Sequence, residues 1–445
     1  MKVVLISTYD LGRQPFGLAS PAAWLRARGH EVGCADISLS PFPASAVSEA
    51  GLVAFYLPMH TATRLAARAI EKTRSLNSAA HLAGYGLYAP LNQDYLRSLG
   101  VKTIIGGEFE AALADLADSL AAGLRPDVRT LVPLERLNFL TPDRSGMPGL
   151  ERYARLINGD GELPVGYTEA SRGCKHLCRH CPVVPVYQGA FRVVQREVVL
   201  ADVRQQVSAG ARHITFGDPD FFNGPTHSLR IVEDLHREFP ELTYDVTIKI
   251  EHLLEHREWL PVLKDTGCLF VTSAVESVDD AVLAKLEKGH TRRDFYDCAA
   301  LFRAAGLRLN PTFIAFMPWT TREGYVDLLS AIRELDLIEQ VSPVQLALRL
   351  LIPVGSRLLE LEDVKRVVRE FDERALAWRW VHPDPDVDRL AMAVMEAASR
   401  GQKAGRSRLE TFAEVWELAT GERLPEDPDV LPRAAVPYLN EPWYC

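Results

Sequence analysis

Short apolar runs without polar alternation recur along the first part of the chain, separated by stretches whose apolar positions repeat at helical spacing. "KVVLIST" (2–8) opens the series, followed by the helical "SPAAWLRARG", with Pro21 near its start and Gly29 at its end. "EVGCADIS", "GLVAFYLP", "AHLAGYGLY" and "VKTIIGG" continue it, with helical patterns in "TATRLAARAIEKTRSLN" and "EFEAALADLADSL". Non-alternating strands are buried on both faces, so these five β/α units predict a doubly wound parallel sheet over residues 1–125. Ligands of such sheets sit at the carboxyl ends of the strands. Here those ends carry "TYDLGRQPFG" (8–17), "LPMHT" (57–61), "YGLYAP" (85–90) and "GGEFE" (106–110), long loops suited to a flat ligand.

Residues 126–164, with several prolines, read as a linker. A second β/α series then runs over 165–355: "VGYTEAS", "HITFGDPDFF", "TYDVTIKIEH", "LFVTSAVES", "NPTFIAFMP" and "PVQLALRLLIP" are its strand candidates. Six strands with intervening helices predict a partial (β/α)6 barrel, whose strand tips line one mouth. Residues 356–445 read as a helical C-terminal region with an irregular tail, "DPDVLPRAAVPYLNEPWYC".

The chain has 445 residues, 24% of them charged, and a formal net charge of -9. That balance offers no general attraction to phosphates, and no basic run compensates, so a nucleic-acid partner is not expected. No apolar stretch reaches the roughly 18 residues of a membrane span. The apolar part of the N-terminus is too short for a signal peptide, and the expected location is cytoplasmic.

Three of the seven cysteines fall in one loop, "SRGCKHLCRHCP" (171–182), directly after the first barrel strand: Cys174, Cys178 and Cys181. In a reducing compartment such a cluster reads as metal-binding. Closed iron–sulfur and structural zinc sites want four ligands. His176 or His180 would complete a Cys3His zinc site, although a zinc ribbon uses paired CXXC knuckles and no second knuckle occurs. The other assignment is a cubane cluster with one iron left open. Arg172, Lys175, His176, Arg179 and His180 would offset the negative charge of such a cluster, or present a docking patch for an acidic partner.

The CX3CX2C spacing after the first strand of a six-strand partial barrel resembles the signature of the radical S-adenosylmethionine (radical SAM) enzymes. The resemblance covers about residues 165–355. It implies a 4Fe–4S cluster on Cys174, Cys178 and Cys181, with S-adenosylmethionine on the open iron. It further implies reductive cleavage of that cofactor to a 5′-deoxyadenosyl radical, and an electron donor of the flavodoxin or ferredoxin type. By the same resemblance, Asp218 and Asp220 in "FGDPDF" would meet the methionyl amine, although the family's common Gly-Gly-Glu is absent there. Glu276 or Ser277 in "AVESVDD" would serve a ribose hydroxyl or the methionyl group, and Lys249 and Arg349 a carboxylate. Asp279 and Asp280 are competing candidates for a helix N-cap.

A doubly wound domain before such a barrel resembles the cobalamin-binding domain of radical SAM enzymes that methylate unactivated carbon or phosphorus. Under that resemblance Tyr9, Leu11, Gly12, Gln14, His60, Gly86, Gly107 and Glu108 would line cobalamin, and "GGEFE" resembles the Gly-Glu-x-Glu element near the end of that domain. The Asp-x-His-x-x-Gly that supplies an axial histidine is missing from the first loop. Either cobalamin binds without that histidine or the domain has lost it; His60 is the nearby spare. The wording "HITFGDPDFFNGP" and "TSAVESVDDAVLAKLEKGHT", with the ending "EPWYC", is similar to the CUAEP/CCAEP-tail radical SAM proteins, which would make Cys445 a redox or radical-relay group. The expected function is a radical SAM enzyme modifying a small molecule or peptide, by cobalamin-dependent methyl transfer or by hydrogen abstraction without cobalamin. A non-catalytic iron–sulfur protein is the remaining reading. A methylthiotransferase would need a second cluster in the first domain, which holds only Cys34.

Overall fold

The computed structural model describes residues 1–124, 126–159, 161–425 and 438–440. Its first sheet contains β1 (Lys2–Ser7), β2 (Glu31–Asp36), β3 (Leu52–Tyr56), β4 (His81–Tyr85), β5 (Thr103–Ile105) and β6 (Arg129–Leu131). Their order is β2-β1-β3-β4-β5-β6, all parallel. Successive side chains of a strand face opposite ways. Val3 and Leu5 therefore pack with Leu18, Leu25 and Leu113 on one face, and Val4 and Ile6 with Phe55, Ile70 and Leu96 on the other. Helices cover both faces, which is why these strands read as unbroken apolar runs. The chain departs from β1 toward opposite edges, so the switch point lies between β1 and β3, where a ligand crevice opens.

The second sheet is built from β7 (Arg155–Asn158) and β8 (Gly161–Thr168); the cysteine loop then lies between β9 (Ser171–Gly173) and β10 (Phe191–Val193), which pair with each other. It continues through β11 (His213–Phe216), β12 (Thr243–Thr247), β13 (Cys268–Glu276) and β14 (Arg308–Phe313). From β14 the order runs β14-β13-β12-β11-β8-β7, with the five strands from β8 to β14 parallel and β7 antiparallel to β8. The expected sixth strand differs. Residues Pro343–Leu346 form a 3-10 turn, and one parallel bridge, Phe316 with Arg349, remains of the ladder. Side chains replace the missing strand bonds: the Phe313 N–H donates to Gln345 Oε1 at 3.1 Å, and the Tyr325 hydroxyl to the Leu346 carbonyl at 2.9 Å.

The segment expected as a linker is built into both sheets instead. Gly106 N–H donates to the Leu131 carbonyl at 2.8 Å, extending the β5–β6 pairing. Arg144 binds the buried Asp202 through two hydrogen bonds of 2.8 and 2.9 Å and also reaches Gln14 Oε1 and the Tyr167 carbonyl. The C-terminal region holds the helices Pro385–Lys403 and Arg408–Thr420, whose Leu390, Val394, Phe412 and Val415 share the apolar core of the second sheet. A hairpin, β15 (Val368–Asp372) and β16 (Ala377–Trp380), precedes them, and β17 (Tyr438–Leu439) pairs antiparallel with β7. Cys445 lies outside the described residues. Among those described, no helix is long and apolar enough to cross a membrane.

Gly107, two residues past β5, has φ +58°, and a Cβ built on it would lie 2.2 Å from the Pro133 carbonyl oxygen. That carbonyl accepts the Glu108 N–H at 2.8 Å, so it cannot move away freely. Gly107→Ala is expected to cost at least about 1–3 kcal/mol of stability, read by denaturant titration.

Candidate functional site

The carboxyl ends of both sheets meet around one cavity of about 530 Å³, within the range of small-molecule sites. Asp10, Pro58, His60, Gly86 and Gly107 line it from the first sheet, and Asp218, Lys249, Glu276 and Arg349 from the second. Cys174, Cys178 and Cys181 line it between them.

The cysteine loop is held at its entrance by its own backbone. Gly173 has φ +72°, and a Cβ there would lie 2.4 Å from the Ala190 carbonyl oxygen, so the β9–β10 hairpin closes tightly before Cys174. Cys181 N–H donates to the Cys178 carbonyl at 3.1 Å, folding the second half of the motif into a turn. Asn223, fully buried after β11, accepts from Lys175 N–H at 3.1 Å and donates to the Gly173 carbonyl at 3.4 Å. Burial raises the Cys174 thiol and pushes Cys181 up to about 12. Both are therefore neutral thiols at ordinary pH unless a metal replaces the proton.

Beneath the loop lies a buried charge network that joins the sheets. Arg172, 6% exposed, donates to Glu110 at 2.9 and 2.6 Å and to Glu169 at 2.6 Å, with Glu108 at 3.5 Å. Its guanidinium also lies 4.9–5.6 Å from the ring centres of Phe16, Phe109 and Phe139. Glu108 accepts from the Tyr187 hydroxyl at 3.0 Å. Burial pushes Glu108 up to about 7 against the pull of Arg172. Sequence reasoning placed Glu108 against a cofactor; the structure turns it toward the cysteine loop.

The other expected site residues divide. Asp218 binds Ser171 Oγ at 2.6 Å and the Ala170 N–H at 2.9 Å, and burial pushes it up to about 7. Asp220, fully buried, accepts from Phe222 N–H at 3.1 Å, while its Oδ2 lies 2.8 Å from His252 Nδ1. His252 in turn meets His176 of the cysteine loop at 3.2 Å. Lys249 lies 3.1 Å from Glu251, and Arg349 pairs with Asp388 at 2.6 Å and stacks over Trp380. Ser277 accepts the Asp279 N–H, and Asp279 caps the following helix. On the first sheet, Tyr9 lies half-buried beyond the end of β1. Leu11 lines the cavity. The Gly12 carbonyl takes the Ala154 N–H, and Gln14 donates to the Pro148 carbonyl. His60 Nε2 binds the Ala375 carbonyl at the tip of the β15–β16 hairpin.

Glu276 is the strained member, with φ +69°. His180 Nε2 lies 3.1 Å and Lys288 Nζ 3.6 Å from its carboxylate. Burial raises its pKa, but Lys288 and His180 outweigh that and hold it at about 2, against 4.5 ordinarily. Its stabilisation is therefore complete above pH 4.5 and lost as pH falls toward 2. Glu276→Gln should lose about 3 kcal/mol at pH 7, with the gap to wild type narrowing below pH 4.5 in urea titrations. Lys288 and Asn223 escaped sequence reasoning, because neither "EKGH" nor "DFFN" signals that its polar side chain turns inward.

A model of the Radical SAM superfamily matches residues 168–332, which span the cysteine loop and β11 to β14. These residues form a radical SAM domain. Curated relatives match over 42% of the chain. The tRNA-2-methylthio-N(6)-dimethylallyladenosine synthase of Shewanella sp. (strain W3-18-1) is 24% identical over 204 residues, 42% of each chain. That of Vibrio cholerae serotype O1 is 25% identical over 205 residues. The match thus spans under half the length of these relatives. Solved structures share the fold more widely. The radical S-adenosylmethionine methyltransferase TsrM from Kitasatospora setae, with tryptophan and a cofactor analogue bound, superposes with TM-score 0.62 at 17% identity, over 76% of this chain and 72% of its own. The cobalamin-dependent radical enzyme OxsB, with aqua-cobalamin and S-adenosylmethionine bound, superposes with TM-score 0.70 at 14% identity, over 92% and 71%. The radical SAM domain marks the chain as an enzyme.

Proposed function

We propose that Cys174, Cys178 and Cys181 hold three irons of a 4Fe–4S cluster, with the fourth iron open to S-adenosylmethionine, and that the chain modifies a small molecule or peptide in the shared cavity. The observation that carries this is that Cys174, Cys178 and Cys181 line one cavity together with Asp218 and Glu276. The donor set also fits, since thiolate sulfurs are the ligands that iron–sulfur clusters take and one short loop supplies three of them. When bound, the cluster supplies the electron for reductive cleavage of S-adenosylmethionine. The chain's own part is to orient and shield. Asn223 and Arg172 fix the loop. Asp218 and Glu276 present carboxylates at the mouth where the cofactor's ammonium or ribose would lie. The exposed Lys175 and Leu177 form the rim at which a flavodoxin- or ferredoxin-type donor would dock.

We further infer cobalamin-dependent methyl transfer as the reaction class. Pro58, Met59, Leu87 and Tyr88 give the first-sheet side of the cavity an apolar floor facing the cysteine loop, and the corrin would rest there. His60, on that edge, has its Nε2 on the Ala375 carbonyl, and the apolar residues beside it would hold the corrin. A tRNA methylthiolation like that of the curated relatives is disfavoured, because the first 125 residues hold one cysteine and cannot ligate a second cluster. The resemblance to the CUAEP/CCAEP-tail proteins rests on sequence wording alone.

The test is electron paramagnetic resonance of anaerobically reconstituted, dithionite-reduced protein with and without S-adenosylmethionine. A reduced-cluster signal that shifts on addition is expected. An unshifted signal, or stoichiometric zinc without iron, overturns the proposal.

A further inference from the structure

The turn after β1 carries two buried polar atoms that have no hydrogen-bond partner among the described residues: Asp10 Oδ2 and Arg13 Nε. Asp10 is only 8% exposed. Buried polar groups are satisfied in the great majority of cases, and leaving one unpaired is costly. The backbone holds both residues in place at further cost. Leu11 and Gly12 have φ of +53° and +70°, and Arg13 N–H donates to the Asp10 carbonyl at 2.9 Å, closing a tight turn. A leucine in the left-handed region is uncommon, and strain of this kind gathers at ligand sites. The Arg13 guanidinium lies 4.9 Å from the Tyr167 ring centre, so that ring supports it. The neighbouring Glu169 cannot serve it in full, being hydrogen-bonded to Arg172. Asp10, Arg13, Tyr167 and Glu169 all line the cavity, at the β1/β3 switch point of the first sheet.

We propose that Asp10 and Arg13 form a clamp for a carboxamide of the bound ligand. Asp10 Oδ2 accepts the amide N–H, and Arg13 Nε donates to the amide oxygen. An acceptor beside a donor matches a ligand group with a donor beside an acceptor. Burial pushes Asp10 up to about 7, so above that pH the two side chains carry opposite charges and select a neutral group. A ligand carboxylate would face Asp10, and a ligand ammonium would face Arg13. The assignment rests on the cavity being the ligand site proposed above. The amide has two possible sources, the amide-bearing rim of a corrin or the substrate itself.

The experiment uses the full reconstituted chain, wild type, Asp10→Ala, Arg13→Met and the double variant. Hydroxocobalamin is titrated and followed by absorbance. Benzamide is titrated into cobalamin-free protein by saturation-transfer NMR, with benzoate and benzylamine as charged isosteres. Each single variant should weaken the amide ligand about 10–100-fold, and the double variant scarcely more, because both atoms hold one group. Weakened hydroxocobalamin binding assigns the clamp to the corrin. Unchanged hydroxocobalamin binding with loss of a benzamide preference over its isosteres assigns it to the substrate. Equal binding of both probes to all four proteins, or no binding to wild type, overturns the clamp. The spectral shift with S-adenosylmethionine is recorded on every protein. If it persists while the clamp fails, only the clamp is wrong; if wild type lacks it, the functional proposal itself has failed.

Discussion

Alanine at Cys174, Cys178 or Cys181 is expected to abolish the S-adenosylmethionine-shifted cluster signal and to reduce cofactor cleavage to background. The effect should exceed the roughly 10–100-fold typical of losing a group that merely supports a metal ligand. Three thiols in one short loop have no spare among them. Cys34, Cys268 and Cys298 sit in other elements, and burial pushes Cys34 to about 11 and Cys298 to about 12. Substitution of Cys298 by serine should therefore leave the spectrum unchanged. Iron content per chain, read beside the spectrum, separates a lost ligand from a misfolded loop. A Cys181 variant with full iron and an unaltered shift would sink the ligand assignment.

The second large effect is expected at Arg172. Its guanidinium is the cation on which Glu108, Glu110 and Glu169 converge, and all four side chains are buried or nearly so. Removing one partner of a buried ion network leaves uncompensated charge, and Arg172→Met should cost about 3–5 kcal/mol. Arg172→Lys should recover only part, because a lysine cannot reproduce the two-pronged contact with Glu110. The pH dependence has a defined sign. Without the cation the folded-state pKa values of Glu108, already pushed by burial to about 7, and of Glu169, already raised by burial, rise further. A carboxyl whose pKa is raised by folding binds more protons folded than unfolded, so its contribution falls as pH rises. The defect should be larger at pH 8 than at pH 5.5 in denaturant titrations. A defect equal at both values would show that the network is not charged as the geometry requires. Because Arg172 lies two residues before Cys174, the same variant should also alter the cluster signal.

Much of this protein is legible in one dimension. The apolar runs of both sheets and the helices between them follow from local periodicity, which a strand or helix imposes on its own residues. The cysteine spacing is equally local, since one loop supplies all three thiols. Asp279 could be read as a helix cap because a cap is satisfied by the next three residues. The sixth strand was misjudged where periodicity met competition. "PVQLALRLLIP" has the composition of a strand, yet Gln345 and Tyr325 satisfy the backbone groups that a ladder would have used. The segment 126–164 was misjudged for the converse reason. Its prolines suggested a linker, while three residues of β6 sufficed to extend a sheet whose edge was already waiting.

What the sequence determined alone is the set of elements and the chemistry of the cysteine loop. Which charged residues face that loop was decided only by the tertiary structure. Glu110 lies 62 residues from Arg172, His252 lies 76 from His176, and Glu276 lies 96 from His180. Contacts across such separations leave no periodic trace, because burial of a charge is settled by the partner that packing brings to it. The two orphaned atoms of Asp10 and Arg13 are of the same kind, since only the folded cavity shows that none of the described residues binds them.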